Sequence, residues 1–156
     1  MPYRFAALMN RPIYNRPAKV NAVETIAYHP LYLKGIEYFN ECDFYESHES
    51  WEELWADEQG GDRKFLQGLI QSAVALHHFG NGNIRGARKL YHTSRSYLTP
   101  YRPGHFGLDL EKFFAEMEAC FAEVLASEEQ YPRIEINADL IPEIHLAPPP
   151  PSISPP

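Results

Sequence analysis

Between residues 31 and 127 apolar side chains recur three and four positions apart, broken by short polar joints, and this pattern predicts five helices. The first runs from Leu31 to about Glu41, with Leu33, Ile36 and Phe39 on its inner face and Tyr32 beside them, and closes in a Cys42-Asp43 joint. Asp43 opens the second as an N-cap, with Glu46 three residues on, and this helix runs from Phe44 to Glu58 before Gly60-Gly61. Asp62 caps the third, Arg63 to Phe79, which is apolar around most of its circumference, as a central helix is. Gly80 terminates it. The run Gly80-Asn81-Gly82-Asn83 then supplies a left-handed cap and an asparagine N-cap, enough to reverse the chain into a fourth helix, Ile84 to Leu98. A fifth, Asp109 to Ser127, follows a Pro/Gly loop and carries Leu110, Phe113, Phe114, Met117, Phe121, Val124 and Leu125 with no helix-breaking residue inside it.

Outside these helices the pattern is different. Residues 1–30 hold Pro2, Pro12, Pro17 and Pro30 without periodicity, and read as an irregular arm. Beyond Tyr131, Arg133-Ile134-Glu135-Ile136-Asn137 alternates like a strand, and Ile141, Ile144 and Leu146 sit among prolines. Residues 131–147 therefore read as an extended arm laid on the bundle or on a second subunit. The final stretch, 148–156, is a polyproline-type tail that is either a disordered end or an SH3-type ligand. The fold class is all-α: a compact bundle of about five helices with antiparallel neighbours over 31–130. No tetratricopeptide-type repeat is found.

Composition narrows the function classes. With 156 residues, 44% of them hydrophobic and 13% aromatic, the chain can bury one sizeable core. A formal charge of −7 disfavours a general nucleic-acid or anionic-membrane binder, which needs a basic footprint. No segment approaches the roughly 20 apolar residues of a membrane span. Cys42 and Cys120 form no CxxC pair, so the expectation is a reduced, cytoplasmic setting.

The candidate chemistry lies on the second and third helices. At about 100 degrees per residue, Phe44, Trp51 and Trp55 make an aromatic face, with His48, Glu49 and Glu52 following one another around its edge. On the third helix Gln67, Gln71 and His78 form a polar stripe, and a polar stripe on a buried helix needs partners. If the two helices are antiparallel neighbours, His48, Glu52 and His78 make a ligand set for a divalent transition metal (Zn, Mn, Fe or Ni), with Glu49 as general base. The competing reading has no metal: Gln67 and Gln71 hydrogen-bond Glu49 and His48 and hold the helices in register. His77 falls in the apolar sector and reads as a core or interface histidine. Arg85, Arg88, Lys89, His92 and Arg95 make a basic face on the fourth helix, read as solvated and paired with nearby acids in preference to a phosphate or RNA site. Phosphate loops, the GxSxG elbow and HExxH are missing, since Glu52 stands where the second histidine of HExxH would be.

The combination Phe39-Asn40, Phe44, Glu46, His48-Glu49, Glu52 and Trp55, then Phe65 to Gln71, Ala73 to Ala75, His78, Gly82-Asn83 and Gly86-Ala87, resembles the prokaryotic family catalogued as domain of unknown function 309. The resemblance covers about residues 31–98 and implies a small cytosolic helical bundle of bacteria and archaea. It also implies a suggested label, predicted metal-dependent hydrolase, resting on His48, Glu49, Glu52, Gln67, Gln71 and His78. Cys42 departs from the pattern, which has glycine there. Two function classes follow: a metal-binding protein or metal-dependent hydrolase acting on an unidentified small molecule, or a non-catalytic helical interaction module, in either case with a homodimer as the expected assembly.

Overall fold

In the computed structural model, residues 28–150 are described; the readings made for residues 1–27 and 151–156 lie outside them. Helix α1 is Pro30–Asn40, with proline in its first turn, where no N–H is required, and His29 Nδ1 accepting from the Leu31 N–H at 3.0 Å. Its inner face is Tyr32, Ile36 and Phe39, four and three residues apart. Leu33, expected inside, lies about 100 degrees round from Tyr32 and is 43% exposed. The joint to the next helix is a Schellman turn: Cys42 takes φ +61°, its N–H donates to Phe39 O, and the Asp43 N–H donates to Tyr38 O at 2.9 Å. Position 42 is thus left-handed, the conformation that favours glycine.

Helix α2 (Phe44–Asp57) begins with Asp43 Oδ1 accepting from the Glu46 N–H at 3.3 Å. Helix α3 (Arg63–Gly80) starts differently from expectation. Asp62 gives it no side-chain cap, because the carboxylate is engaged by His105 Nε2 at 2.7 Å. Arg63 closes the corner, lying over the Trp55 ring and donating to the carbonyls of Trp55 and Glu58 at the end of α2. The next reversal takes its left-handed residue from the Gly80–Asn83 run at Gly82, φ +79°, with Gly80 still inside α3; Asn83 Oδ1 then caps α4 (Ile84–Leu98) at the Gly86 N–H.

These corners make α1 to α4 successive antiparallel neighbours. Phe39 meets Phe44 across the first joint, and Trp51 Nε1 donates to Tyr32 O farther along. Between α2 and α3 the pairs are Tyr45 with His77 at one end and Trp55 with Arg63 at the other. Between α3 and α4, Gly68 lets Leu98 close in, to where a Cβ at 68 would stand 2.6 Å from Leu98 Cγ. The core includes Phe39, Trp51, Phe65, Leu69, Leu76 and Leu98, all fully buried or nearly so. Burying such aromatic and branched side chains gives on the order of 2 kcal/mol each, which is what fastens helices of these lengths together.

The expected fifth helix is two. Helix α5 (Leu110–Cys120) and helix α6 (Ala122–Ala126) are separated at Phe121, whose ring is fully buried against Phe79 and Tyr91. Tertiary packing sets this break, since nothing in the local sequence does. Ahead of α5, the Pro/Gly loop contains a minimal antiparallel ribbon, β1 (Gly104–His105) with β2 (Leu108–Asp109).

After α6 the chain is extended apart from a short turn at Ala138–Leu140, and it lies on its own bundle. Ile134 and Ile136 face inward between exposed Arg133, Glu135 and Asn137, as the alternation predicts, although among the described residues no strand pairs with them. Pro142 and Ile144 are buried while Glu143 and His145 are exposed. Asn40 binds both backbone groups of Ile144, Nδ2 donating to its carbonyl and Oδ1 accepting from its N–H, each at 2.8 Å. Farther on, the Ala147 N–H donates to Gly107 O and the Tyr28 hydroxyl to Ala147 O. No described helix is long and apolar enough to cross a membrane.

Candidate functional site

Helix α2 carries the polar group because its spacing puts His48, Glu49 and Glu52 on the edge of the face that Trp51 anchors. All three are buried, at 6%, 4% and 2% exposure. His48 Nε2 is 3.9 Å from Glu49 Oε1. Burial pushes the His48 imidazole below its ordinary value, with the Glu49 charge pulling the other way and the nearby His77 adding to the depression. Burial, reinforced by the neighbouring Glu49 charge, pushes the Glu52 carboxyl up to about 7, so near neutral pH it carries a proton about half the time.

The third helix contributes in another way than the wheel implied. His78 Nδ1 lies 3.2 Å from Asn83 Nδ2 and His77 Nε2 lies 3.1 Å from Asn81 Nδ2, so both imidazoles are tied to the α3–α4 corner. Burial, with His77 next to it, holds the His78 imidazole low. His77, set aside in the sequence reading, is the one that reaches toward α2: its ring is 6.0 Å from that of Tyr45, which packs edge-on against His48 at 4.9 Å. The signal was present in the sequence as the i to i+3 spacing of Tyr45 and His48 opposite a His77-His78 pair.

Of the expected glutamine staple, Gln71 Oε1 takes no part as an acceptor among the described residues. Gln71 Oε1 and Glu52 Oε2 are both buried acceptors without a hydrogen-bond partner. The Tyr45–His77 and Trp55–Arg63 pairings fix a register that brings these two side chains to similar heights on facing helices.

The donor types suit a transition metal, and a depressed imidazole is already in its ligating form. Their placement does not: among the described residues no group of three or more His, Cys, Asp and Glu side chains is arranged to hold a metal ion. The set His48, Glu52 and His78 is divided, with the first two on the α2 seam and His78 at the α3–α4 corner. Among the described residues the structure thus shows no assembled three-ligand centre.

The three arginines of the basic face of α4 are engaged from within, while Lys89 and His92 are exposed. Arg88 donates to the carbonyls of Val124, Ser127 and Glu129, Arg85 to the Tyr131 hydroxyl, and Arg95 lies over the Phe114 ring.

Residues 32–90 match the family described as Domain of unknown function (DUF309). The matched stretch contains α1, α2, α3 and the first half of α4, hence Asn40 and the whole polar group, and leaves α5, α6 and the extended arm outside. An uncharacterised protein of Aquifex aeolicus is 31% identical over 99 residues, covering 62% of this chain and 28% of that protein. The uncharacterised protein YpuF of Bacillus subtilis is 30% identical over 92 residues, covering 57% of this chain and 53% of YpuF. The chain thus spans about a quarter and about half the length of these two relatives.

Proposed function

We propose that this chain is a non-catalytic helical interaction module, in which the buried seam of His48, Glu49 and Glu52 belongs to the scaffold. The observation that carries this reading is the division of the expected ligand set: His48 stays with the α2 carboxyls, while His78 is held at the α3–α4 corner by Asn83. A seam of this kind ties helix packing to the protonation of one carboxyl, and a buried polar network makes such packing sensitive to substitution.

The second reading is the metal-dependent hydrolase, with Glu49 as base. It is favoured by the two buried acceptors, Glu52 Oε2 and Gln71 Oε1, which a cation or a donor-bearing ligand would satisfy. It requires a third ligand to join His48 and Glu52.

Metal content decides between them. Protein purified without an affinity tag or chelator is analysed by mass spectrometry beside a folded His48→Ala/His78→Ala variant. The module reading expects no stoichiometric metal and no uptake of Zn, Mn, Fe or Ni. Near-stoichiometric metal that the folded variant loses would overturn it.

A further inference from the structure

The extended arm occupies its groove in the way a bound peptide does. Along residues 142–146, alternate side chains enter the bundle: Pro142 and Ile144 are buried, Leu146 is half-buried, and Glu143 and His145 between them face outward. That period of two is what an extended ligand shows when one edge is read by a receptor. Its main chain is read as well. Asn40 takes both the N–H and the carbonyl of Ile144, and Gly107 O accepts from the Ala147 N–H. A side-chain amide that satisfies both groups of one residue imitates the neighbouring strand of a sheet, so it selects an extended backbone at that point whatever the side chain is. The side chain is selected separately, because Ile144 is only 2% exposed and packs within the main core.

The two halves of this contact differ in their relation to the relatives. Asn40 lies inside the segment that matches DUF309, next to Phe39 of the same signature, while the arm that it holds lies outside that segment.

We propose that the groove beside Asn40 is a docking site for an extended, proline-flanked segment of a partner protein with apolar residues at alternate positions. Residues 141–147 are its intramolecular occupant and competitor. This rests on the interaction-module reading and names the kind of partner. The arm is tethered, so its effective concentration at the groove is about millimolar. A partner segment therefore gains access when the arm is weakened or when its own affinity exceeds the arm's.

The test uses the full-length chain with Ile144→Asp, which evicts the arm's buried side chain, and a fluorescent peptide of residues 138–150 as probe. Anisotropy should show saturable binding to the variant, at least tenfold weaker binding when Asn40→Ala is added, and none for a peptide carrying the same Ile-to-Asp change. A folded variant that does not bind the peptide, or binding that is indifferent to Asn40, overturns the proposal. If Ile144→Asp does not fold, the unaltered, isotopically labelled chain is titrated with unlabelled peptide. The Ile144 amide resonance should then leave its bonded position at millimolar peptide, and an unmoved resonance overturns the proposal. Stoichiometric metal in the preceding experiment would sink the module reading and leave the groove untouched; failure of the peptide to bind would do the reverse.

Discussion

Trp51 lies edge-on against Gly35, so close that a Cβ at position 35 would overlap the indole nitrogen and its neighbouring carbons. The contact is fixed from both sides, since Trp51 Nε1 donates to Tyr32 O and Ser47 Oγ donates to Gly35 O at 2.7 Å. Gly35→Ala would have to displace a fully buried tryptophan or spread α1 from α2. A loss of about 3 kcal/mol is expected, read as a lower urea midpoint at an unchanged slope. Stability within about 0.5 kcal/mol of the parent would show that the two helices slide freely at this crossing.

Cys42 sits at φ +61° in the Schellman turn between the same two helices. A side chain costs about 1 kcal/mol in that conformation, and Cys42 is exposed, with no packing to lose. Cys42→Gly should therefore stabilise the protein by up to about 1 kcal/mol, partly offset by the greater freedom of glycine in the unfolded chain. Thermal melts of the two proteins side by side decide it, and a lower midpoint for the glycine variant would contradict the assignment.

Glu52 links stability to pH. Its folded-state value is raised to about 7 from an ordinary 4.5, so the folded protein holds a proton that the unfolded chain releases earlier. The stabilising contribution is fully present below about pH 4.5 and is lost as pH rises through about 7, on the order of 2–3 kcal/mol in total. Glu52→Gln, which mimics the protonated form, should gain on the parent progressively from pH 5 to pH 8. His48 and His78 act with the opposite sign, because their depressed values make the folded state lose stability as pH falls below about 6.5. Denaturant midpoints of parent and variant across this range test the assignment, and a constant difference would refute the carboxyl's role.

Arg88 gathers the Val124 carbonyl of α6 and those of Ser127 and Glu129, so it holds the start of the arm to α4. Arg88→Met keeps the stem and removes the donors. A loss of about 2 kcal/mol follows from several charge-assisted bonds broken at half-buried carbonyls. Amide exchange should accelerate in residues 122–130 before it does in α3, and uniform exchange across the two would count against this account.

The helices α1 to α4 were legible because their cues are local. Asp43 and Asn83 are caps recognisable within three residues, and the spacing of Ile36 and Phe39 or of Leu66, Ile70 and Ala73 repeats within a few turns. What escaped depends on residues far away in sequence. Asp62 reads as a cap until His105, 43 positions on, takes its carboxylate. Phe121 breaks a helix only because Phe79 and Tyr91 form a socket for it. In the candidate site, the wheel correctly grouped His48, Glu49 and Glu52, which share one helix. It could not tell which of two adjacent histidines on another helix turns toward them, since one residue is 100 degrees of rotation and the corner asparagines decide where each ring is held.

The hydrogen bonds of Ala147, to Gly107 and from Tyr28, bring the two ends of the described chain to one corner of the bundle. The spacing between Tyr28 and Ala147 is thereby held by one tyrosine hydroxyl on one main-chain carbonyl, so the described chain starts and finishes on the same patch of the bundle.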